Sequence, residues 1–284
     1  MRLRWLPVLA LLILACGGEP VPQAVSTPQR IIAIAPGVVE MLFELGLGDR
    51  VVGVGDYAKW PIQVAQKPQL GGLFNARLEA IAGLRPDLAV LLPSEDSLAL
   101  DLKQMGVEVL TVRSDTIGDV EEMAVLIAER CDVPEAGEAF LERWESELAP
   151  RSTGRPVRVL LSVTREPGRL ADVLVGGPGT FLDELLSRLG ATNVMADAGL
   201  AYPQVGLEEI IVRDPEVVVE LQASPGDFET LRQDWALLGA DTPLADTCVQ
   251  VLVGDHVLIP GPRLPRLYDE LWQALVACIE SSPG

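Results

Sequence analysis

Histidine is almost missing from this chain: 284 residues carry one, His256. A His-rich transition-metal site is therefore nearly excluded. Basic residues are scarce too, 22 Lys and Arg against 41 Asp and Glu, for a net charge of -19. Loss of Arg2 and Arg4 with a leader would deepen that deficit. Such a chain is repelled by nucleic acid and by anionic lipid. The four cysteines, Cys16, Cys131, Cys248 and Cys278, show no CxxC spacing, so a zinc site is not indicated. Cys248 and Cys278 fall in the same half and can either pair as a disulfide or remain buried thiols. Aromatics make up only 5%, so each one placed on a loop carries weight.

Hydrophobic residues are plentiful at 49%, ample for packed cores, and the length suits one large domain or two ordinary ones. The 22 Pro and 26 Gly are scattered, as in a chain with many short turns.

The dominant pattern is a unit that occurs twice. Leu78-Glu79-Ala80-Ile81 leads through Pro86-Asp87 into Leu88-Ala89-Val90. Leu207-Glu208-Glu209-Ile210 leads through Pro215-Glu216 into Val217-Val218-Val219. In both, Glu stands seven residues ahead of Pro. An amphipathic stretch, a Pro stop and a β-branched apolar run predict helix, turn and buried parallel strand. Two such units, one in each half, predict two α/β lobes of similar build rather than a short-period solenoid.

Residues 1–15 read as a lipoprotein signal peptide. Arg2 and Arg4 precede an apolar run, Leu6 to Leu14, too short to span a bilayer. Ala15-Cys16-Gly17 follows it directly and resembles a bacterial lipobox, which implies cleavage before Cys16 and lipid on its sulfur. Residues 16–29 are then a lipidated, Pro-rich, extended tether.

Residues 30–133 form the expected N-terminal lobe. Its strands are placed at Arg30–Ala35, Val51–Gly55, Leu88–Leu92 and Glu108–Val112, with Asn75 as a candidate cap for the helix of the first repeat. Residues 134–152 are expected to be the interlobe backbone helix; its helical stretch Glu135 to Leu148 has Phe140, Leu141, Trp144 and Leu148 on one stripe and spans roughly 20 Å at 1.5 Å per residue. Residues 153–284 form the C-terminal lobe, with strands at Val157–Val163, Leu170–Val175, Val217–Val219, Val249–Val253 and Val257–Ile259.

In a parallel α/β sheet, ligands bind along the edge where strands end and helices begin. Loops Asp56–Pro61, Gly71–Asn75, Thr164–Arg169, Tyr202–Gln204 and Asp255–Arg263 share such edges. Facing edges would form a cleft lined by Tyr57, Trp60, Phe74 and Tyr202, suited to a flat or greasy ligand. Catalytic chemistry is thin. Glu79 and Glu208 head equivalent helices in opposite lobes, where the helix dipole favours an exposed, ionised carboxylate. No Ser/His/Asp or Cys/His pattern is legible around the one histidine, so no enzyme is expected. His256 is open to two readings, a ligand to metal or haem, or a polar turn residue at a ligand's rim.

The stretch Val51–Leu92, with Tyr202-Pro203-Gln204-Val205, Glu208 and Pro260-Gly261-Pro262-Arg263, resembles the helical-backbone (class III) periplasmic substrate-binding proteins of ABC importers, and most of all their cobalamin-binding members. The resemblance covers about Arg30 to Ile279. It implies two Rossmann-like α/β lobes joined by a single long backbone helix, with the ligand in a cleft between them. It implies a monomer on the periplasmic or cell-surface side, held to the membrane only by lipid on Cys16. The partners implied are an ABC permease with its ATPase subunits, and Glu79 and Glu208 would dock against permease arginines. The ligand implied is a corrinoid, carried as cargo and not as cofactor, with haem or a ferric siderophore as alternatives; the alternative role is a ligand-presenting lipoprotein without a transporter.

The expected ligand contacts are Tyr57, Trp60, Leu73, Phe74, Arg165, Tyr202, Asp255 and His256. Tyr57 and Tyr202 match ligand-packing aromatics of the cobalamin binders, and Asp255 and His256 fall where that lobe presents polar contacts. Haem would draw on Tyr57 or His256 as axial ligand; a siderophore would draw on Arg165 and Arg263. This chain departs from the cobalamin-binding pattern at Leu73 and Leu92, where tryptophans are usual, and at Gly206, where a small hydroxyl residue is usual.

Overall fold

The first sheet is wholly parallel and the second mostly so, because apolar runs such as Leu88–Leu91 and Val217, Val218 and Val219 are buried on both faces. The computed structural model describes residues 26–281, apart from 225, 227 and 239. The expected signal peptide, Cys16 and residues 16–25 of the tether lie outside the described residues.

The first sheet contains β1 (Ile31–Ala33), β2 (Val51–Val54), β3 (Leu88–Leu91) and β4 (Glu108–Thr111), in the order β2-β1-β3-β4, all parallel. Helices α1 (Pro36–Glu44), α2 (Leu78–Leu84), α3 (Asp96–Gln104) and α4 (Ile117–Arg130) surround it. The helix α5 (Pro134–Glu147) then leads into the second sheet. That sheet holds β5 (Arg158–Thr164), β6 (Val173–Val175), β7 (Thr192–Asn193), β8 (Gln204–Val205), β9 (Val217–Gln222) and β10 (Cys248–Val253). Its order is β10-β9-β5-β6-β8, with β7 beside β5. Strands β10, β9, β5 and β7 are parallel, while β6 runs antiparallel to both β5 and β8. The helices of this lobe are α6 (Phe181–Arg188), α7 (Leu207–Arg213), α8 (Phe228–Leu238) and α9 (Leu264–Ser281).

The repeat seen in sequence extends to its hydrogen bonds. Helices α2 and α7 each span seven residues and end on a left-handed residue before Pro, Arg85 and Asp214, both at φ 47°. The Arg30 Nε donates to the carbonyls of Leu84 and Arg85, and Arg158 Nε donates to that of Asp214. These bonds satisfy carbonyls that a helix end leaves unpaired. Asp87 accepts from the backbone N–H of Gln29 and of Arg30, and Glu216 accepts from that of Arg158. One arginine and one acid therefore clasp the foot of each sheet in the same way.

A single apolar cluster runs from lobe one through α5 into lobe two. Met41, Val120 and Met123 belong to it, as do Phe140 and Trp144 of α5, and Leu161, Phe181 and Tyr268 of lobe two. Phe140 and Trp144 stack with ring centres 5.1 Å apart, and Trp144 Nε1 donates to Glu121 at 3.0 Å. A disulfide joins Cys248 of β10 to Cys278 of α9, which resolves the alternative left open by the sequence, and Cys131 is a buried free thiol.

Four local expectations are corrected. Helices α3 and α8 were not read from the sequence. Residues Asp255–Leu258 form a 3-10 turn where a short strand was expected at Val257–Ile259. The expected strand Leu170–Val175 shortens to Val173–Val175. Asn75 Oδ1 accepts from Gly72 N at 2.8 Å, closing a tight loop instead of capping α2, whose N-cap is Arg77.

Candidate ligand cleft

The ends of the parallel strands in the two lobes face each other. Gly37, at the start of α1 just after β1, lies against Pro260 and Gly261, just after the 3-10 turn that follows β10. A Cβ on Gly37 would stand 2.3 Å from the carbonyl oxygen of Pro260, so no side chain fits there. The loop before α4 meets the N-terminus of α6: Phe181 N donates to Asp115 O at 2.7 Å, and Ile117 N donates to Glu184 Oε2 at 2.6 Å. Arg263 completes the floor. Its guanidinium binds Glu40 of lobe one and Asp255 of lobe two, and lies 5.6 Å from the ring centre of Trp60.

Four aromatics remain exposed on these edge loops: Tyr57 at 70%, Trp60 at 51%, Phe74 at 89% and Tyr202 at 40%. Water-exposed aromatic surface in a chain this poor in aromatics is the feature a ligand would cover. Asp56 locks the Tyr57 loop to the Phe74 loop by accepting from Gly71 N at 2.9 Å and from Arg77. The Tyr57 ring passes over Gly72, where an added Cβ would approach it to 3.1 Å. Leu73 is half-buried and packs against the core of lobe one. Tyr202 lines an apolar cavity of about 230 Å³ with Val163, Leu174, Phe181, Leu182 and Leu258. Desolvation, and next the charge of Asp115, push its phenol up to about 12, so it stays an O–H donor at neutral pH.

Two expected contacts turn inward, and this is a correction. The Arg165 side chain is fully buried and held by Glu220 and Asp234. Trp235 Nε1 and Ser162 Oγ also donate to Glu220, and Gly168 N donates to Asp234. This network fixes the 164–169 loop to α8. His256 is 1% exposed, with Nε2 at 2.8 Å from Glu270 Oε2. Asp255 is engaged by Arg263, whose hydrogen bond holds its carboxyl below the usual carboxylate range despite partial burial. Among the described residues no group of His, Cys, Asp and Glu could hold a metal ion.

A family model described as periplasmic binding protein matches residues 31–234. The chain belongs to the periplasmic binding protein family. This is a family of substrate-binding proteins, not of enzymes. A vitamin B12-binding protein of Vibrio cholerae is 25% identical over 242 residues, covering 83% of this chain and 84% of the relative. An uncharacterized ABC transporter substrate-binding lipoprotein of Bacillus subtilis is 26% identical over 260 residues, covering 87% and 80%. A solved periplasmic heme-binding protein from Pseudomonas aeruginosa superposes with a TM-score of 0.73 at 25% identity, over 90% of this chain and 94% of that one.

Glu79 and Glu208 are exposed in the first turns of α2 and α7, on the same strand-end edges as the cleft loops. The sequence reading missed Glu40 and the buried Glu95. An isolated acid inside the apolar run Val38-Val39-Glu40-Met41-Leu42 was the available signal, because a buried carboxylate demands a partner. A surface depression of about 780 Å³ lies elsewhere, between the end of α1, α5 and α9. Its lining includes the ion pairs Arg143–Glu44, Arg151–Asp269 and Arg266–Glu270.

Proposed function

We propose that this protein is the lipid-anchored substrate-binding component of an ABC importer, and that it captures a corrinoid between its lobes and passes it to a membrane permease. The observation that carries this reading is the set of exposed aromatics, Tyr57, Trp60, Phe74 and Tyr202, on two facing strand-end edges. Aromatic rings offer large contact area at low rotamer cost, which suits the broad face of a macrocycle. The Vibrio cholerae and Bacillus subtilis relatives support the cargo class and the importer role. Glu79 and Glu208 are the docking charges in this reading. Their equivalent positions on opposite lobes set orientation and on-rate on a pseudo-symmetric permease more than raw affinity. Cys16 carries the lipid.

Haem is the second reading. It is favoured by the exposed phenol of Tyr57, which offers an axial oxygen, and by the likeness to the Pseudomonas aeruginosa protein. His256 cannot serve, because it is buried against Glu270. An anionic siderophore is poorly served, because both Arg165 and Arg263 are already neutralised by paired acids.

The test is titration of the purified protein with cyanocobalamin, hemin and a ferric siderophore, followed by tryptophan fluorescence. Saturable, stoichiometric binding of cobalamin alone is expected. Binding of hemin or siderophore without cobalamin would overturn the corrinoid assignment.

A further inference from the structure

Glu95 is 2% exposed, yet among the described residues no cation acts on its carboxyl. Its Oε2 accepts from Leu92 N at 2.7 Å. Its Oε1 is the buried side-chain oxygen that has no hydrogen-bond partner among the described residues. Leaving such an acceptor unmade is costly, so it points to a group that completes it. Glu95 lines a cavity of about 210 Å³ with Leu73, Phe74, Ser94, Ser97 and Asp101. At roughly 30 Å³ per water that is room for several waters or a small organic substituent. Leu73 and Phe74 belong to a cleft loop, and Ser94 and Glu95 follow β3 on the same edge, so the cavity stands beside the cleft in lobe one. No Lys, Arg or His lines it.

We propose that this cavity is a side pocket of the ligand cleft that receives an uncharged hydrogen-bond donor of the primary carboxamide type, with its N–H donating to Glu95 Oε1. The inference rests on the cleft being the ligand site. Desolvation raises the Glu95 carboxyl to about 7, with the Leu92 hydrogen bond opposing. A carboxamide suits both forms of such a group: its N–H donates to the carboxylate, and its carbonyl also accepts from the protonated acid. A ligand carboxylate would meet two acids, Glu95 and Asp101, and no counter-charge. Corrins carry primary amides around their rim, whereas the haem edge carries propionates. The pocket therefore selects between the two cargoes at a point remote from the metal.

The experiment compares cyanocobalamin with its monocarboxylic acid derivatives, in which one rim amide is hydrolysed. The wild-type protein is expected to bind at least one monocarboxylate about tenfold more weakly than cobalamin, the scale of one buried hydrogen bond. Glu95→Gln, which places N–H donors at the pocket, should bring that ratio towards one. Asp101→Asn, on a half-exposed helix position where folding is not at risk, should lower it part-way. Equal binding of every derivative by the wild type, or a preference unmoved by both substitutions, would overturn the inference while leaving the cleft assignment standing. Failure of the wild type to bind cobalamin at all would overturn both.

Discussion

Arg263 and Glu40 stand 223 residues apart in sequence and join the two lobes, with Arg263 Nε 2.9 Å from Glu40 Oε2. Glu40 is 4% exposed, and its carboxyl is raised by burial, an effect that the Arg263 hydrogen bond only partly offsets. Removing one partner of a buried pair leaves an uncompensated charge. Arg263→Ala should therefore cost about 3–5 kcal/mol of unfolding free energy, and Glu40→Gln less, because Arg263 keeps its ion pair with Asp255. Urea denaturation of both variants checks this. Equal, small losses would show that the pair contributes little to holding the lobes.

Arg165 was expected to touch ligand and is instead sealed between Glu220 and Asp234. Arg165→Leu should lower stability by about 3–5 kcal/mol and release the 164–169 loop from α8. Limited proteolysis together with thermal unfolding would detect this. A variant that melts like wild type but loses only ligand affinity would restore the original expectation.

Glu95 sets a pH dependence of stability with a definite sign. Its folded-state pKa is about 7, above the ordinary 4.5 of an unfolded Glu. The folded protein therefore holds an extra proton between those values, and this group's contribution is full below about 4.5 and lost as pH rises through 7. At 1.36 kcal/mol per unit the span is about 3 kcal/mol. Glu95→Gln should gain stability relative to wild type on going from pH 5 to pH 8, measured as urea midpoints. A difference that stays constant across this range would disprove the shifted carboxyl.

Glu79→Arg and Glu208→Arg should each reduce uptake strongly and leave ligand affinity unchanged, since both carboxylates are exposed on helix first turns. Whole-cell uptake and an in vitro titration on the same variants separate the two effects. Lost affinity in the purified variants would remove the docking role.

Truncating the aromatics should act on binding alone. Tyr57→Ala and Tyr202→Ala are each expected to weaken ligand binding about tenfold or more, the scale of an aromatic anchor at a binding surface. Tyr57 is the cleaner test because it is largely exposed. Titration curves that overlay wild type would move the cleft elsewhere.

Much of this architecture was legible because periodicity and Pro stops are local. The repeated Glu and Pro marked both α2 and α7. Other elements depended on partners far away in sequence. In α3 the alternation Leu98, Leu100, Leu102 disguises a helix that leaves Leu100 exposed at 61%. Arg165 and His256 looked like ligand groups because they sit in loops after strands. Their partners, Glu220 inside an apolar strand and Glu270 on α9, become neighbours only when the lobe closes. The acid in Val217-Val218-Val219-Glu220-Leu221 was the clue, since no carboxylate stays in such a run without donors. The exposed aromatics were legible as loop residues, whereas the unpaired oxygen of Glu95 is visible only in three dimensions.

The arginine–acid clasps, Arg30 with Asp87 and Arg158 with Glu216, both lie at the foot of their sheets, at the opposite end from the cleft. The lobes are thus fastened by matching hardware at the end that meets no ligand and left dissimilar at the end that does. A loop at the mouth can be exchanged without undoing a clasp. Ligand preference in such a molecule can drift by loop replacement while the clasped frame stays in register.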